Sequence, residues 1–344
     1  MEVLYSCTIA PDTGTIDIFG SDYAMKITIL ALEGVFDTGV STLLDAFTTA
    51  NELSATHTRP APPFEVVLGG VRATVTSSQG FTVPVTPLAD CPRADLVIVP
   101  ALGVKMPDQL VAALARADVI DACAALRAFA AGGTRVAAAC IGTFVLAESG
   151  LLDQRDATTT WWLTPLFRQR YPNVALDTSR MIVSSGPCLT GGAALSHLDM
   201  ALWVIRESSP DLAALVARYL VVDPRVSQAA YVISDHLAKA DPMVARFDRW
   251  VRDNLDQRFD LGRAASEMAT SKRTLARRLQ GVLGKTPVSY VQDVRIEHAV
   301  HLIKTSSLSM ERIAATVGYG DSVTLRTLLR RKLGKGIRAL REPG

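Results

Sequence analysis

The sequence is poor in the residues that mark secreted, metal-bound or membrane-inserted proteins. Its 344 residues hold five cysteines, Cys7, Cys91, Cys123, Cys140 and Cys188, widely spaced and without a Cys-x-x-Cys pair. An odd, scattered set argues against a disulfide framework and against a thiolate zinc site, so a reducing cytoplasm is the expected compartment. No metal and no organic cofactor is expected. No uninterrupted apolar run reaches the roughly 18 residues of a membrane span, so no membrane partner is expected. The N-terminus lacks the basic-then-apolar order of a secretory signal. Residues 1–25 are polar and patternless and read as a flexible extension, with Met25 as an alternative start to Met1. Aromatic residues make up 6% and charged residues 20%, whereas 49% are hydrophobic, which describes a compact folded chain rather than a disordered one.

What is present falls into two halves. The length is comfortable for two domains, each able to bury a core. The net charge of +2 conceals a division, because residues from Val244 onward carry 20 Lys and Arg against 10 Asp and Glu, leaving 16 against 24 before it. An acidic module joined to a basic one is the electrostatic form of an ordinary folded domain tethered to a polyanion binder.

Apolar runs in the acidic half alternate with helical patterns. Lys26–Leu32, Phe64–Leu68, Ala94–Pro100 and Arg135–Cys140 read as buried strands, and Leu43–Asn51, Pro107–Arg116, Val119–Ala131 and Thr143–Ser149 as helices. Thr158–Trp162 reads as a further strand, and Met181–Gly186 leads to a helix from about Gly191 to Glu207. Continuous apolar strands alternating with helices predict a parallel sheet covered on both faces, a flavodoxin-like α/β domain. The alternation stops near Val222. The expected organisation is the extension, an α/β domain over 26–220, a linker over 221–243 holding two Asp-Pro pairs, and an all-α domain over 244–344.

The all-α half repeats itself. Arg263-Ala-Ala-Ser-Glu-Met-Ala followed by Thr274-Leu-Ala-Arg-Arg-Leu279 returns as Arg312-Ile-Ala-Ala-Thr-Val-Gly followed by Thr324-Leu-Arg-Thr-Leu-Leu329. Each copy reads as a short alanine-rich helix, a turn and a basic amphipathic helix, which is a helix-turn-helix. The offset is 49 residues from Ala265 to Ala314 but 50 from Leu275 to Leu325, so the second turn is one residue longer. With Leu275 and Leu279 inward, Ser271, Lys272, Arg273, Ala276, Arg277 and Gln280 are the candidate DNA-contacting residues of the first unit, Ser271 also serving as helix N-cap. With Leu325 and Leu329 inward, Ser322, Val323, Arg326, Thr327 and Arg330 are those of the second. Arginine and glutamine read base edges by paired hydrogen bonds, and lysine and arginine also neutralise phosphates. The intervening Pro287–Lys304 predicts a helix of roughly 27 Å, long enough to set two recognition helices about one DNA turn apart.

Phe247–Arg341 resembles the DNA-binding domain of AraC/XylS-type transcriptional regulators. Ala265, Ser271-Lys-Arg-Thr-Leu-Ala-Arg-Arg-Leu279, Gly284-Lys-Thr-Pro287, Arg295, Ile313-Ala-Ala and Val317-Gly-Tyr-Gly320 carry that resemblance. The chain departs from the family in having Leu325 and Leu329 at aromatic positions and Gly334-Lys-Gly-Ile337 where Gly-x-x-Pro is usual.

In the acidic half, a strand ending at Cys140, then Ile141-Gly142 and a helix, has the layout of a nucleophile elbow, where the helix dipole lowers a thiol pKa. Nucleophilic chemistry would also need a base, normally histidine, and no histidine follows Cys140 directly. Lys26–Leu220 resembles the PfpI-like branch of the class I glutamine amidotransferase-like fold, and the two-domain arrangement resembles the GlxA-like group of AraC/XylS regulators. Ala94–Gly103, Cys140–Asp153, Ala157-Thr-Thr-Thr-Trp161 and Gly191…Asp199 carry that likeness. Ile141 and Thr160 stand where the resembling proteins usually have histidine.

The resemblance implies a sequence-specific regulator of transcription, more often an activator, acting as a homodimer. Its implied partners are double-stranded DNA, RNA polymerase and an unidentified small-molecule effector. Cys140, Ile141, Gly142, Gly103, Thr160 and Trp161 are the candidate lining of the effector crevice. With both histidines missing, no catalytic residue is assigned. The alternative is a PfpI-like or isonitrile-hydratase-like enzyme using Cys140, and a redox switch at the same thiol is a third reading.

Overall fold

A computed structural model describes residues 24–55, 63–223, 225, 228 and 241–333. The expected N-terminal extension and most of the expected linker lie outside these residues.

The α/β half is built on seven strands: β1 (Met25–Ala31), β2 (Phe64–Gly70), β5 (Thr86–Pro87), β6 (Leu96–Val99), β7 (Arg135–Ala139), β10 (Ile182–Ser185) and β11 (Cys188–Gly191). They run in the order β10-β11-β7-β6-β1-β2-β5. Short pairs β3 (Thr74–Thr76) with β4 (Thr82–Pro84), and β8 (Asp156–Ala157) with β9 (Ala175–Leu176), stand apart. Ile27, Ile29, Leu96, Ile98, Ala137 and Ala139 face one side with α1 (Asp37–Ala55), α6 (Ser196–Ser208) and α7 (Pro210–Tyr219). Leu30, Val97, Val99, Val136 and Ala138 face the other, against α2 (Pro107–Leu114), α3 (Ala117–Ala131) and α4 (Gly142–Glu148). Alternate residues on opposite faces, both covered, explain why these strands are apolar throughout.

Three sequence expectations change. The sheet is mostly parallel, because β10 pairs antiparallel with β11 at its edge. β11 occupies a stretch from which no strand was expected, and the following helix begins at Ser196 rather than about Gly191. Thr158–Trp162 is not a strand: β8 ends at Ala157, and a 3-10 turn covers Trp161–Leu163 before α5 (Thr164–Arg170).

The C-terminal half is helical: α8 (Pro242–Asp253), α9 (Leu261–Glu267), α10 (Lys272–Leu283), α11 (Pro287–Thr305), α12 (Met310–Thr316) and α13 (Ser322–Leu333). Each starts where a short polar side chain can accept from exposed backbone N–H groups. Asp241, Asp260, Ser271, Thr286 and Ser309 cap α8 to α12, and Asp321 accepts from Thr324 N–H at 2.7 Å at the start of α13. Pro242 and Pro287 occupy first-turn positions, where the missing N–H costs nothing.

Two cores fill this half. Val244, Phe247, Ala264, Leu275, Leu279, Tyr290 and Val294 form the first, and Ile296, Ala299, Ile303, Ile313, Leu325 and Leu329 the second. α11 serves both, so one rigid helix joins the two units. Each fully buried leucine contributes about 1.5–3 kcal/mol relative to exposure. Tyr290 Oη donates to Asp248 at 2.6 Å, and Arg295 Nη2 donates to Gln257 O at 2.5 Å, fixing α11 to the first unit by hydrogen bonds as well. Trp161 of the α/β half also packs against the first core.

Candidate functional site

The helix-turn-helix units place their two leucine pairs inward, with Leu275, Leu279, Leu325 and Leu329 all buried. Lys272, Arg273, Arg277 and Gln280 are exposed on α10, while Ala276 is half-buried. Ser271 caps α10 by accepting from Thr274 N–H at 3.1 Å, and its hydroxyl donates to Thr274 Oγ1 at 3.0 Å. On α13, Val323, Arg326, Thr327 and Arg330 are exposed and Ser322 is half-buried. The turns occupy four residues, 268–271, and five, 317–321.

The two basic faces differ electrically. Among the described residues, Lys272, Arg273 and Arg277 enter no ion pair; Arg278, on the flank, pairs with Asp241 at 3.3 Å. On the second unit, Arg326 approaches Glu311 at 3.8 Å, and Ser322 Oγ donates to the same carboxylate at 3.0 Å. Lys332 is held by Asp293, which also takes Lys285 at 2.6 Å. The first face thus presents uncompensated cations, which release counterions from a phosphate backbone when they bind it.

In the α/β half, the carboxyl ends of β6 and β7 meet at Cys140. Its φ of +55° is a backbone conformation rare for a side-chain-bearing residue and typical of strained functional turns. Cys140 N–H donates to Gly191 O at 2.8 Å, and Thr159 Oγ1 donates to Cys140 O at 2.7 Å. Gly142 is required for packing, since a β-carbon there would collide with the Val99 carbonyl. The thiol is buried, and burial pushes its pKa up to about 12, opposed only in part by the Ile141 N–H and the Thr160 hydroxyl. Such a thiol is protonated at neutral pH and is a poor nucleophile.

No base compensates among the described histidines. His197 is fully buried, with Nδ1 2.7 Å from Ala194 O and Nε2 accepting from Ala101 N–H at 3.1 Å. Both ring nitrogens are therefore committed. Burial pushes its pKa down to about 4, so the ring is neutral. His298 and His301 belong to α11, and His57 and His236 lie outside the described residues. The β6 loop offers little to a developing oxyanion, because Ala101 N–H is used by His197 and Gly103 N–H donates to Gly34 O at 2.7 Å. The two nearby acids are also engaged: Glu33 Oε2 accepts from Thr76 N–H, and Asp37 from Ser78 Oγ.

Of the six candidate crevice residues, Cys140, Ile141, Gly142 and Thr160 are brought together and buried. Gly103 lies across the loop against Ser78, and Trp161 turns away toward the helical half. Ser196 Oγ and Gln228 Oε1 are buried without a hydrogen-bond partner among the described residues. An unsatisfied buried polar atom costs about 1–3 kcal/mol, which marks this region as one that a polar ligand could stabilise. Sequence reading missed Thr159, Ser196 and Gln228. The run Thr158-Thr159-Thr160, three β-branched hydroxyl residues in a row, was the available signal for the first, and no local signal distinguished Gln228, whose Nε2 donates to Thr159 O at 2.9 Å.

The profile of the DJ-1/PfpI family matches residues 25–207, more than half of the chain. The chain belongs to the DJ-1/PfpI family. A helix-turn-helix domain profile matches residues 264–342, so this DJ-1/PfpI member joins an AraC-type helix-turn-helix domain to its α/β domain. The HTH-type transcriptional regulator GbdR of Pseudomonas aeruginosa is 27% identical over 198 residues, covering 56% of this chain and 54% of its own length. The HTH-type transcriptional regulator GlxA of Rhizobium meliloti is 26% identical over 210 residues, covering 60% of this chain and 64% of its own length. The chain therefore spans about half the length of GbdR. The crystal structure of an AraC family transcriptional regulator from Pseudomonas putida aligns at TM-score 0.44 and 18% identity, covering 57% of this chain and 99% of that chain. Among the described residues, no helix of this family member is long and apolar enough to cross a membrane.

Proposed function

We propose that this DJ-1/PfpI member is a sequence-specific DNA-binding regulator of transcription, acting in the cytoplasm as a homodimeric activator that engages RNA polymerase. The observation that carries this reading is the pair of basic recognition helices, α10 and α13, set on one rigid helix with Arg273, Arg277, Gln280, Arg326 and Arg330 outward. Lys272, Ser271 and Ala276 complete the first face, and Ser322, Val323 and Thr327 the second. The α10 face reads base edges, and the α13 face, whose Arg326 is engaged by Glu311, grips more by position.

The α/β domain is a sensor rather than an enzyme. A buried protonated thiol, a neutral histidine with both nitrogens committed, and Ala101 and Gly103 amides already bonded leave no nucleophile paired with a base among the described residues. Cys140, Ile141, Gly142 and Thr160 line the effector crevice, with Gly103 and Trp161 at its margins. In open α/β sheets, ligands bind beyond the carboxyl ends of the strands.

Selection of bound duplexes from a random pool, using the full chain, tests the reader. A defined motif with two half-sites about one turn apart is expected, and recovery of duplexes without common sequence would overturn sequence-specific binding. The Cys140→Ser variant, tested against a panel of amide, ester and isonitrile substrates alongside the parent, tests the sensor. No turnover is expected from either protein, and turnover lost on substitution would establish the enzyme reading instead.

A further inference from the structure

α10 ends in an unusual setting. Its last turn contains no basic residue of its own, and it stops at Gly284, whose φ of +66° is a left-handed cap with its N–H donating to Gln280 O at 2.9 Å. The last carbonyls of a helix carry partial negative charge and favour a cation nearby. That cation comes from the other half of the chain. A β-carbon on Gly284 would collide with all three outer atoms of the Arg168 guanidinium, so Arg168 of α5 lies directly on the cap. Its Nη1 is shut from solvent and has no hydrogen-bond partner among the described residues. Burial lowers the pKa of this group, which makes a nearby negative potential the more important to it.

Trp161 makes a second contact across the same boundary, packing on the core that holds Leu275, Leu279 and Leu283 of α10 and standing edge-on to Trp162 at 5.7 Å. Trp161 immediately follows Thr160, whose buried hydroxyl lies beside the Cys140 thiol, and Thr159, which holds the Cys140 carbonyl. The three-residue strip Thr159–Trp161 therefore touches the crevice at one end and the first recognition unit at the other.

We propose that Trp161 and Arg168 form an interdomain clasp, with Arg168 supplying the cationic C-cap that α10 lacks and Trp161 transmitting changes at the Thr159–Cys140 contact to that helix. The clasp rests on the reading of α10 as a recognition helix, and it assigns control to the first unit alone. Among the described residues, the second unit's core contains none from the α/β half. A ligand that moves Thr160 would thus shift the base-reading helix while leaving the positional grip in place.

Hydrogen–deuterium exchange on the full chain tests this without DNA. Arg168→Ala is expected to speed exchange of the amides in the last turn of α10 at least fivefold, with Arg168→Lys restoring most of the protection. Trp161→Ala is expected to do the same and also to speed exchange over 158–163. β7 serves as the folding control and should be unchanged in all three. Thr160→Val, which removes only the crevice hydroxyl, should alter exchange at the end of α10 at least twofold and leave α13 alone. Unchanged α10 exchange in both Arg168→Ala and Trp161→Ala overturns the clasp, and unchanged exchange in Thr160→Val overturns transmission. A chain that bound no duplex would sink the regulator reading while these exchange results still stood or fell independently.

Discussion

At the turn of the first helix-turn-helix unit stands Ala269 with φ +52°, and 49 residues later, at the matching place in the second, stands Gly318 with φ +76°. The two turns need the same left-handed residue, but only one uses the amino acid that adopts it freely. The second turn also sits tighter, since a β-carbon on Gly318 would collide with the Leu255 carbonyl. The contrast continues along the recognition helices. α10 keeps free cations on its outer face and takes contacts from the α/β half, whereas α13 has Arg326 and Lys332 engaged by acids of its own module. Strain and uncompensated charge thus coincide in one unit, the one proposed to read bases. Sites of function commonly carry such locally unfavourable features, stabilised by their surroundings.

Five outcomes would break or sharpen this contrast. The largest concerns what the units share. Leu279→Ala and Leu329→Ala should each destabilise their unit by about 2–5 kcal/mol in urea unfolding, because both leucines are fully buried. A much smaller loss at Leu329 would show the second core to be loosely packed.

Acid should separate the α/β half from both units. The folded pKa of His197, about 4, lies below its ordinary 6.5, so the unfolded state binds the proton more readily. Its contribution is complete above pH 6.5 and declines as pH falls toward 4, by up to about 3 kcal/mol. His197→Asn or His197→Gln should flatten that part of the stability–pH curve; an unaltered curve would mean that another group governs it.

Gly318→Ala should cost at least about 1–3 kcal/mol through backbone strain and collision, measured as a fall in the unfolding midpoint. On DNA, Arg277→Ala should lose about 1–3 kcal/mol and relax preference at one base position, whereas Arg326→Ala should lose less and evenly across sequences. Equal, sequence-selective losses would erase the proposed division between reader and grip. The smallest effect is a gain: Ala269→Gly should relieve the first turn, offset in part by the greater freedom of the unfolded chain, for a net of about 0.5 kcal/mol. If Ala269→Gly instead destabilised the protein, the first turn would not be strained.

Much of this was legible in the sequence because local rules fixed it. The leucine pairs at four-residue spacing, the Ser271 cap and the one-residue difference between turns each follow from helix periodicity and end chemistry. The apolar runs likewise announced a sheet buried on both faces. β11 escaped because Cys188-Leu-Thr-Gly191 is only four residues long, behind Gly186-Pro187, and resembles the start of a helix in apolar content. Thr158–Trp162 looked like a strand from its β-branched and aromatic residues, but Thr159 and Thr160 are turned to the Cys140 elbow instead of a neighbouring strand. The placement of Trp161 and Arg168 had no local signature. Their partners lie more than a hundred residues away, and only the tertiary arrangement joins them.

One consequence of the Arg168–Gly284 contact reaches beyond regulation. The Gly284 end of α10 lies against a residue encoded 116 positions upstream, on the far side of the linker. Cutting the chain between its halves would therefore strip the Arg168 guanidinium from the end of α10, and the liberated fragment would differ there from the same segment in the full chain.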